Sequence, residues 1–132
     1  MSTNLTCVIA EDERIFREAL SALLASEWPE LTVLASCEDG AEALEAIAEY
    51  KPDVAFLDIR MPGLTGLEVA AALTDTSPRT QVVFVTAYDQ YAIDAFEVNA
   101  VDYLLKPVEP ARLATAVDRV RKRLAEIGRA HV

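Results

Sequence analysis

The sequence is poor in the residues on which many metal and nucleotide sites depend. It contains one histidine, two cysteines and four glycines among 132 residues. It has neither a GxGxxG pattern nor a Walker loop, which argues against a nucleotide-binding loop of either kind. The histidine, His131, is the penultimate residue and has no metal-binding residue next to it. The chemistry of this chain must therefore come from other side chains.

The two cysteines do not point to a disulfide framework. Cys7 and Cys37 each lie inside an apolar segment, about one strand–helix–strand unit apart. This placement favours two buried free thiols, with a disulfide or a metal role as the minor alternative.

Long apolar runs are also missing. No stretch approaches the roughly 20 apolar residues that a membrane helix needs. The first residues, "MSTNLTCVIAEDE", lack the basic start and the long apolar run of a signal peptide. We therefore expect a cytoplasmic protein with no membrane partner.

Positive charge is scarce. The chain has 12 basic and 22 acidic residues, a formal net charge of −10. This balance argues against non-specific attraction to nucleic acid, so we expect no direct nucleic-acid binding by this chain. Half of the basic residues lie in the last stretch: Arg112, Arg119, Arg121, Lys122, Arg123 and Arg129.

Short apolar runs alternate with segments of helical periodicity, and most of the runs lack the in–out alternation of a half-exposed strand. A chain that is 52 % hydrophobic and 26 % charged fits one compact domain, expected over residues 1–132. Five alternating strands and helices predict a parallel, doubly wound α/β sheet with right-handed crossovers. The predicted strands are Thr6–Ala10, Thr32–Ser36, Val54–Leu57, Gln81–Thr86 and Asp102–Leu105.

Helical spacing of apolar residues predicts which side of each helix faces the sheet. The fourth helix, around Tyr91–Val98, is the weakest because its apolar face is short. The predicted stripes are Phe16, Ala19, Leu20, Leu23 and Leu24 in the first helix, Leu67, Ala70, Ala71 and Thr74 in the third, and Ala92, Ala95 and Phe96 in the fourth.

Polar residues follow four of the predicted strands, where open α/β sheets bind their ligands. These residues are Glu11, Asp12 and Glu13 after the first strand, Asp58 after the third, Thr86 at the end of the fourth and Lys106 after the fifth. Carboxylates packed together repel one another unless a cation intervenes. Oxygen ligands of this kind suit Mg²⁺, and a lysine supplies further positive charge.

Asp58 follows "VAFL", a strand predicted to be buried on both faces. A buried charge is costly when it is alone, so a metal and Lys106 are expected to stabilise it. A carboxylate in such a place can attack a phosphoryl group and form an aspartyl phosphate.

The segments "EDE", "FLDIRMPGLTG", "VTAYD" and "DYLLKP" occur in this order at the ends of the predicted strands. In this order and spacing, the chain resembles the response-regulator receiver domain of bacterial two-component signalling over residues 5 to 127. The resemblance implies a flavodoxin-like, doubly wound, five-stranded parallel sheet of order 2-1-3-4-5 with five helices. It also implies a sensor histidine kinase as phosphoryl donor, and a regulatory switch that catalyses only its own phosphotransfer and dephosphorylation.

The resemblance assigns a phosphorylation site. Asp58 would be the phosphoacceptor, and Lys106 would pair with the phosphoryl oxygens. Mg²⁺ would be held by Asp12 and Asp58, by Glu11 through water and by the backbone carbonyl of Arg60. The peptide bond between Lys106 and Pro107 would be cis.

The resemblance also assigns a switch. Thr86 would be the hydroxyl drawn towards the phosphoryl group, and Tyr103 the aromatic that turns inward behind it. Ala87 is small and would leave access to Asp58. Arg60 and Tyr88 flank the site and are expected to tune the lifetime of the phosphoryl group.

Residues 90 to 107, "QYAIDAFEVNAVDYLLKP", resemble receiver domains of the LytTR type. Such proteins usually carry a C-terminal DNA-binding domain and regulate transcription. We expect no output domain after the last helix, and we interpret the chain as an excised receiver or a single-domain regulator.

The charges near the fourth and fifth helices suggest a second partner surface. Acidic residues on one and basic residues on the other could pair across a two-fold homodimer interface, although such charges are usually a solvated helix face. The residues concerned are Asp89, Asp94 and Glu97, with Arg119, Lys122 and Arg123.

Other interpretations stay open. Taken singly, Thr86 could end a β-branched strand, Tyr103 could be ordinary packing and Lys106 a surface charge, while Glu11 and Asp12 could favour a helix start. A flavin- or nucleotide-binding enzyme would need phosphate-cradling residues where this chain has "EDER". The remaining alternative is a receiver-like interaction module that never takes phosphate.

Overall fold

The computed structural model describes residues 4–130, with the backbone only at residues 129 and 130, so the prediction for His131 lies outside it. Its strands are β1 (Thr6–Ala10), β2 (Thr32–Cys37), β3 (Val54–Leu57), β4 (Gln81–Thr86) and β5 (Asp102–Leu105). Its helices are α1 (Arg14–Glu27), α2 (Gly40–Tyr50), α3 (Gly66–Thr76), α4 (Ala92–Glu97) and α5 (Pro110–Ala130). Within residues 4–130, none of these helices has the length and apolar character needed to span a bilayer.

The strands form one parallel sheet in the order β2-β1-β3-β4-β5. This confirms the predicted fold class and strand order. Four of the five strands have the predicted bounds, and β2 runs one residue further, to Cys37. Because all strands run the same way, their carboxyl ends meet at one edge of the sheet.

Two hydrophobic clusters cover the two faces of the sheet. In β3, Val54 and Phe56 belong to the cluster under α1 and α5, whereas Ala55 and Leu57 belong to the cluster under α2 and α3. Successive strand residues point to opposite faces, so a strand covered on both sides is apolar throughout. This explains why β3 shows no alternation in its sequence.

The two cysteines lie in different clusters. Cys7 packs in the α1–α5 cluster and Cys37 in the α2–α3 cluster, and both are buried free thiols. Burial raises the pKa of each thiol to about 12. Both side chains therefore act as small apolar core residues.

Three of the predicted helix faces differ from the structure. In α3 the buried face includes Val69 and Leu73 in addition to Ala70, whereas the predicted Leu67 is only partly buried and Ala71 and Thr74 are exposed. In α4 only Ala95 is buried, and the ring of Phe96 is 83 % exposed. In α1, Leu20 and Leu24 are buried as predicted but Phe16 is 41 % exposed.

The first turn of α3 explains the rotation of that helix. Gly66 approaches the backbone of Asp58 so closely that an added Cβ would lie 2.1 Å from the Asp58 carbonyl oxygen. The Gly66 N–H also donates to the Ile59 carbonyl at 2.9 Å, and a capping box between Thr65 and Glu68 fixes the helix start. The glycine side of α3 therefore faces the sheet and supports the backbone of Asp58.

Asp102, the first residue of β5, ties that strand to α5. Its buried carboxylate accepts hydrogen bonds from Arg112 at 2.6 and 2.9 Å and from Arg119 at 2.9 Å. Burial acts to raise the pKa of Asp102, but the hydrogen bonds from Arg112 and the Tyr103 backbone, with the charges of both arginines, outweigh it and lower the pKa. The ionised form of Asp102 is thus stabilised by folding.

We predict that Gly66→Ala destabilises the domain by about 1–3 kcal/mol, because the new methyl group has only backbone atoms to displace. Gly128→Ala is the matched control, since a Cβ at Gly128 in α5 meets nothing within 4 Å. It should be neutral or stabilise by up to about 1 kcal/mol through helix propensity. Urea unfolding of both variants measures the difference, and equal stability of the two would contradict the packing argument.

We predict that Asp102→Asn costs about 1–3 kcal/mol at pH 7 by leaving Arg112 and Arg119 without their carboxylate. The folded-state pKa of Asp102 is lowered, so its contribution is present above the ordinary aspartate pKa of about 3.9 and is lost as the pH falls through the folded value. Urea unfolding at pH 7, 5 and 3 should show a native-to-variant difference that shrinks below about pH 4. Asp118→Asn, an exposed change on α5, should show no such difference.

Candidate functional site

The carboxyl edge of the sheet carries four predicted site residues: Glu11, Asp58, Thr86 and Lys106. The ladder continues beyond the strands, because the Asp58 N–H donates to the Ala10 carbonyl and the Lys106 N–H to the Thr86 carbonyl, each at 2.9 Å. The backbone of Asp58 is thereby fixed beside the end of β1, and that of Lys106 beside the end of β4. Their side chains leave the same edge of the sheet.

Lys106 is the centre of the charged group. Its Nζ donates to Asp58 Oδ2 at 2.9 Å and also to Glu11 Oε1. The three side chains are nearly withdrawn from water, with exposed fractions of 12 % for Lys106, 8 % for Asp58 and 5 % for Glu11. One ammonium group therefore serves two buried carboxylates.

The electrostatics of this group favour a further cation. Burial raises the pKa of Glu11, with the charge of Asp58 adding to the effect and the Lys106 hydrogen bond opposing it. Burial acts to lower the pKa of Lys106, but its hydrogen bonds to Glu11 and Asp58 outweigh this and raise the pKa. Lys106 is accordingly a fixed positive charge, and the excess negative charge rests on the carboxylates.

Two buried oxygens lack a hydrogen-bond partner among residues 4–130. They are Asp58 Oδ1 and Thr86 Oγ1, the latter in a side chain that is completely buried. Buried polar atoms in native proteins are nearly always paired, so these two oxygens are available to water, an ion or a ligand at this edge of the sheet.

The acids after β1 provide the ligand chemistry for a metal. Glu11, Asp12 and Glu13 place carboxylate oxygens within 4.8 Å of one another, with Glu11 buried and the other two exposed. This donor set and the unpaired Asp58 Oδ1 fit the oxygen coordination that Mg²⁺ prefers. Glu13 belongs to the acidic group predicted at this edge, although the family resemblance assigned it no individual role.

Tyr103 lies on β5 and pairs in register with Phe84 of β4. Phe84 is two residues before Thr86 on the same strand. Its hydroxyl donates to the backbone carbonyl of Tyr88, and burial raises the pKa of the phenol. The half-buried ring is therefore tied to the loop that follows Thr86.

The loops flanking the site contact each other. The guanidinium carbon of Arg60 lies 4.8 Å from the centre of the Tyr88 ring, a cation–π contact between the β3–α3 and β4–α4 loops. Ala87 is exposed between Thr86 and Tyr88. The peptide bond between Lys106 and Pro107 is cis.

Sequence reasoning missed one aromatic contact of the site. Lys106 Nζ lies 4.5 Å from the centre of the Phe16 ring on α1. Phe16 had been assigned to an apolar stripe, and its spacing gave no signal that it meets a lysine from the far end of the chain.

One of the charged residues predicted for the dimer interface already has an ion-pair partner within the chain. Arg119 forms an ion pair with Asp102 of the same chain at 2.9 Å. The α4–β5 side instead exposes three large apolar side chains, with exposed fractions of 76 % for Ile93, 83 % for Phe96 and 46 % for Leu105. We call Ile93, Phe96 and Leu105 the α4–β5 patch.

Comparisons with known proteins agree with this geometry. A family model described as the response regulator receiver domain matches residues 7–118. The chain is 48 % identical to an uncharacterized response regulatory protein of Vibrio cholerae over 124 residues, covering 94 % of this chain and 48 % of that protein. It is 43 % identical over 120 residues to the sensory transduction protein LytT of Oceanobacillus iheyensis, covering 89 % of this chain and 48 % of LytT.

The chain thus spans about half the length of these curated relatives. The similarity to LytT agrees with the resemblance to receivers of the LytTR type. Among solved structures, the response regulatory domain of mrkE from Klebsiella pneumoniae superposes with a TM-score of 0.85 at 30 % identity, covering 92 % of this chain and 99 % of that one. The chain belongs to the response regulator receiver domain family, a family of two-component signalling domains.

Proposed function

We propose that this domain is a phosphorylation-controlled switch in which Asp58 accepts a phosphoryl group from a sensor histidine kinase. The proposal rests on the burial and the hydrogen bonding of the Asp58 carboxylate. This carboxylate is buried, hydrogen-bonded to Lys106 through one oxygen and unpaired at the other. A carboxylate held in this way has a fixed orientation and an oxygen free to react.

The chemistry is a transfer between two nucleophiles. An oxygen of Asp58 bonds to phosphorus while the bond from phosphorus to the donor nitrogen of the kinase histidine breaks, and the electron pair leaves with that nitrogen. Lys106, which is charged, stays beside the transferred group and balances its negative oxygens. Hydrolysis of the resulting acyl phosphate by water returns Asp58 to its carboxylate form.

The acidic side chains around Asp58 suit a bound Mg²⁺. Asp12, Asp58 and the Arg60 carbonyl would hold it, with Glu11 acting through water, and the ion would supply positive charge for the phosphoryl oxygens. Glu13 belongs to the same acidic group and is a further candidate ligand.

The switch follows from the unpaired hydroxyl of Thr86. A phosphoryl group on Asp58 offers strong acceptors, and Thr86 Oγ1 has no competing partner among the described residues. Movement of Thr86 would change the β4–α4 loop, whose Tyr88 carbonyl holds the Tyr103 hydroxyl. The stacked Arg60 and Tyr88 side chains lie in the two loops beside Asp58 and would tune the access of water to the phosphoryl group.

The α4–β5 patch gives this switch an output surface. Ile93 and Phe96 are three residues apart on α4, and both are far more exposed than large apolar side chains usually are, as is Leu105 at the end of β5. Acidic side chains of α4 and the basic Lys122 and Arg123 of α5 could complement each other in a symmetric dimer. In a full-length regulator this surface would control the output domain, most simply a transcriptional one.

We predict that the native protein gains one phosphoryl group from acetyl phosphate in the presence of Mg²⁺, and that Asp58→Asn gains none. Intact mass after brief exposure, with Mg²⁺ or with EDTA, measures both. Asp75→Asn, an exposed carboxylate change on α3, is the control and should be phosphorylated like the native protein. Absence of any gain, with acetyl phosphate and with a cognate kinase alike, would favour the phosphate-independent interaction module.

We predict that Ile93→Ser weakens a dimer that forms on phosphorylation, because it removes an apolar side chain from the α4–β5 patch. Ile15→Ser is a close match, since Ile15 on α1 is 77 % exposed and Ile93 is 76 % exposed. Sedimentation velocity of the phosphorylated proteins should show dimers for the native chain and for Ile15→Ser, and mainly monomers for Ile93→Ser. Equal association of all three proteins would exclude the patch as the dimer surface.

A further inference from the structure

Phe16 is a large aromatic side chain that the hydrophobic core does not account for. It lies on the first turn of α1 and is 41 % exposed, whereas Leu20 and Leu24, on the same helix, are buried. It borders an apolar groove of about 480 Å³ between α1 and the β5–α5 loop, lined also by Leu20 and Pro107. Among residues 4–130, the hydrophobic cluster under α1 and α5 does not include Phe16.

The ring instead meets the charged centre of the site. Lys106 Nζ lies 4.5 Å from its centre, within the range of a cation–π interaction. The same ammonium group donates to Glu11 and to Asp58. Two carboxylates and one aromatic ring therefore surround a lysine whose side chain is only 12 % exposed.

The three partners of Lys106 differ in how strictly they fix the direction of its N–H groups. Each carboxylate takes one N–H in a fixed direction, whereas the face of a ring attracts the whole positive charge. During phosphoryl transfer Lys106 must direct an N–H from the Asp58 carboxylate to a phosphoryl oxygen. The ring can hold the ammonium group in place while that hydrogen bond changes partner.

We propose that Phe16 is a positioning residue for Lys106, acting on phosphoryl transfer to Asp58 through its contact with the ammonium group. The inference rests on the proposed function, because it assigns Phe16 a part in that same transfer. It concerns the transfer itself and is independent of any contact between α1 and a kinase.

The first test is the rate of phosphorylation by acetyl phosphate, a donor that needs no kinase surface. Phe16→Leu keeps an apolar side chain but removes the aromatic face, and should lower the rate about three- to ten-fold. Phe16→Tyr keeps the face and should stay within about two-fold of the native rate. Ile15→Ala, the exposed neighbour, should leave the rate unchanged.

The second test detects the contact between Phe16 and Lys106 in the protein without metal or phosphate. Protons above an aromatic ring are shifted upfield, so the ε-methylene resonance of Lys106 in a ¹H–¹³C spectrum should be shifted upfield in the native protein and in Phe16→Tyr. The shift should disappear in Phe16→Leu. Lys106→Met identifies the resonance by its loss.

The outcomes separate the inference from the function on which it rests. A native protein that is phosphorylated no faster than Phe16→Leu overturns the inference and leaves the proposed function intact. An unshifted Lys106 resonance in the native protein also overturns the inference. A native protein that takes up no phosphoryl group overturns the proposed function, and the role of Phe16 with it.

Discussion

Two buried carboxylates and one ammonium group share a small volume at the carboxyl edge of the sheet. Glu11 and Asp58 both lie against Lys106, and none of the three side chains is more than 12 % exposed. Loss of the lysine would leave two uncompensated buried charges, which typically costs several kcal/mol. Even with Lys106 in place the group keeps an excess negative charge, and this excess suits the region to a divalent cation. The same geometry that makes the site costly in the free protein would, under the proposed function, be relieved by a metal ion.

The scaffold holds this group through contacts that are not themselves part of the chemistry. Backbone hydrogen bonds extend the ladder to Asp58 and Lys106 and set the spacing of their side chains. The close approach of Gly66 to the Asp58 carbonyl supports the loop that follows β3. Asp102 ties β5, the strand that precedes Lys106, to α5. Stability and site geometry are thus coupled, because both depend on where the ends of β3 and β5 are held.

The strands and the charged residues were the most predictable parts of the chain. Buried parallel strands are short apolar runs, and the polar residue that ends each run falls at a known edge of the sheet. Helix faces were less predictable, because periodicity identifies a helix without fixing its rotation when small residues dominate. The face of α3 depends on Gly66, and Phe96 of α4 was expected to face inward but is exposed. The contact between Phe16 and Lys106 joins distant parts of the chain and leaves no local pattern.

One loop connects the carboxyl edge of the sheet beside Asp58 with the α4–β5 side of the domain. Thr86 ends β4, and its hydroxyl has no hydrogen-bond partner among residues 4–130. Two residues later, the Tyr88 carbonyl accepts the Tyr103 hydroxyl, and the Tyr88 ring lies against the Arg60 guanidinium. Under the proposed function, a displacement of the Thr86 backbone would also move the Tyr88 carbonyl, because only Ala87 separates the two residues. Tyr103 would then lose or change its partner, and β5, which carries Leu105 of the α4–β5 patch, would respond. A signal of this kind requires no long rearrangement, since a hydroxyl, a carbonyl and a phenol within one loop and its neighbouring strand suffice to link Asp58 to the patch.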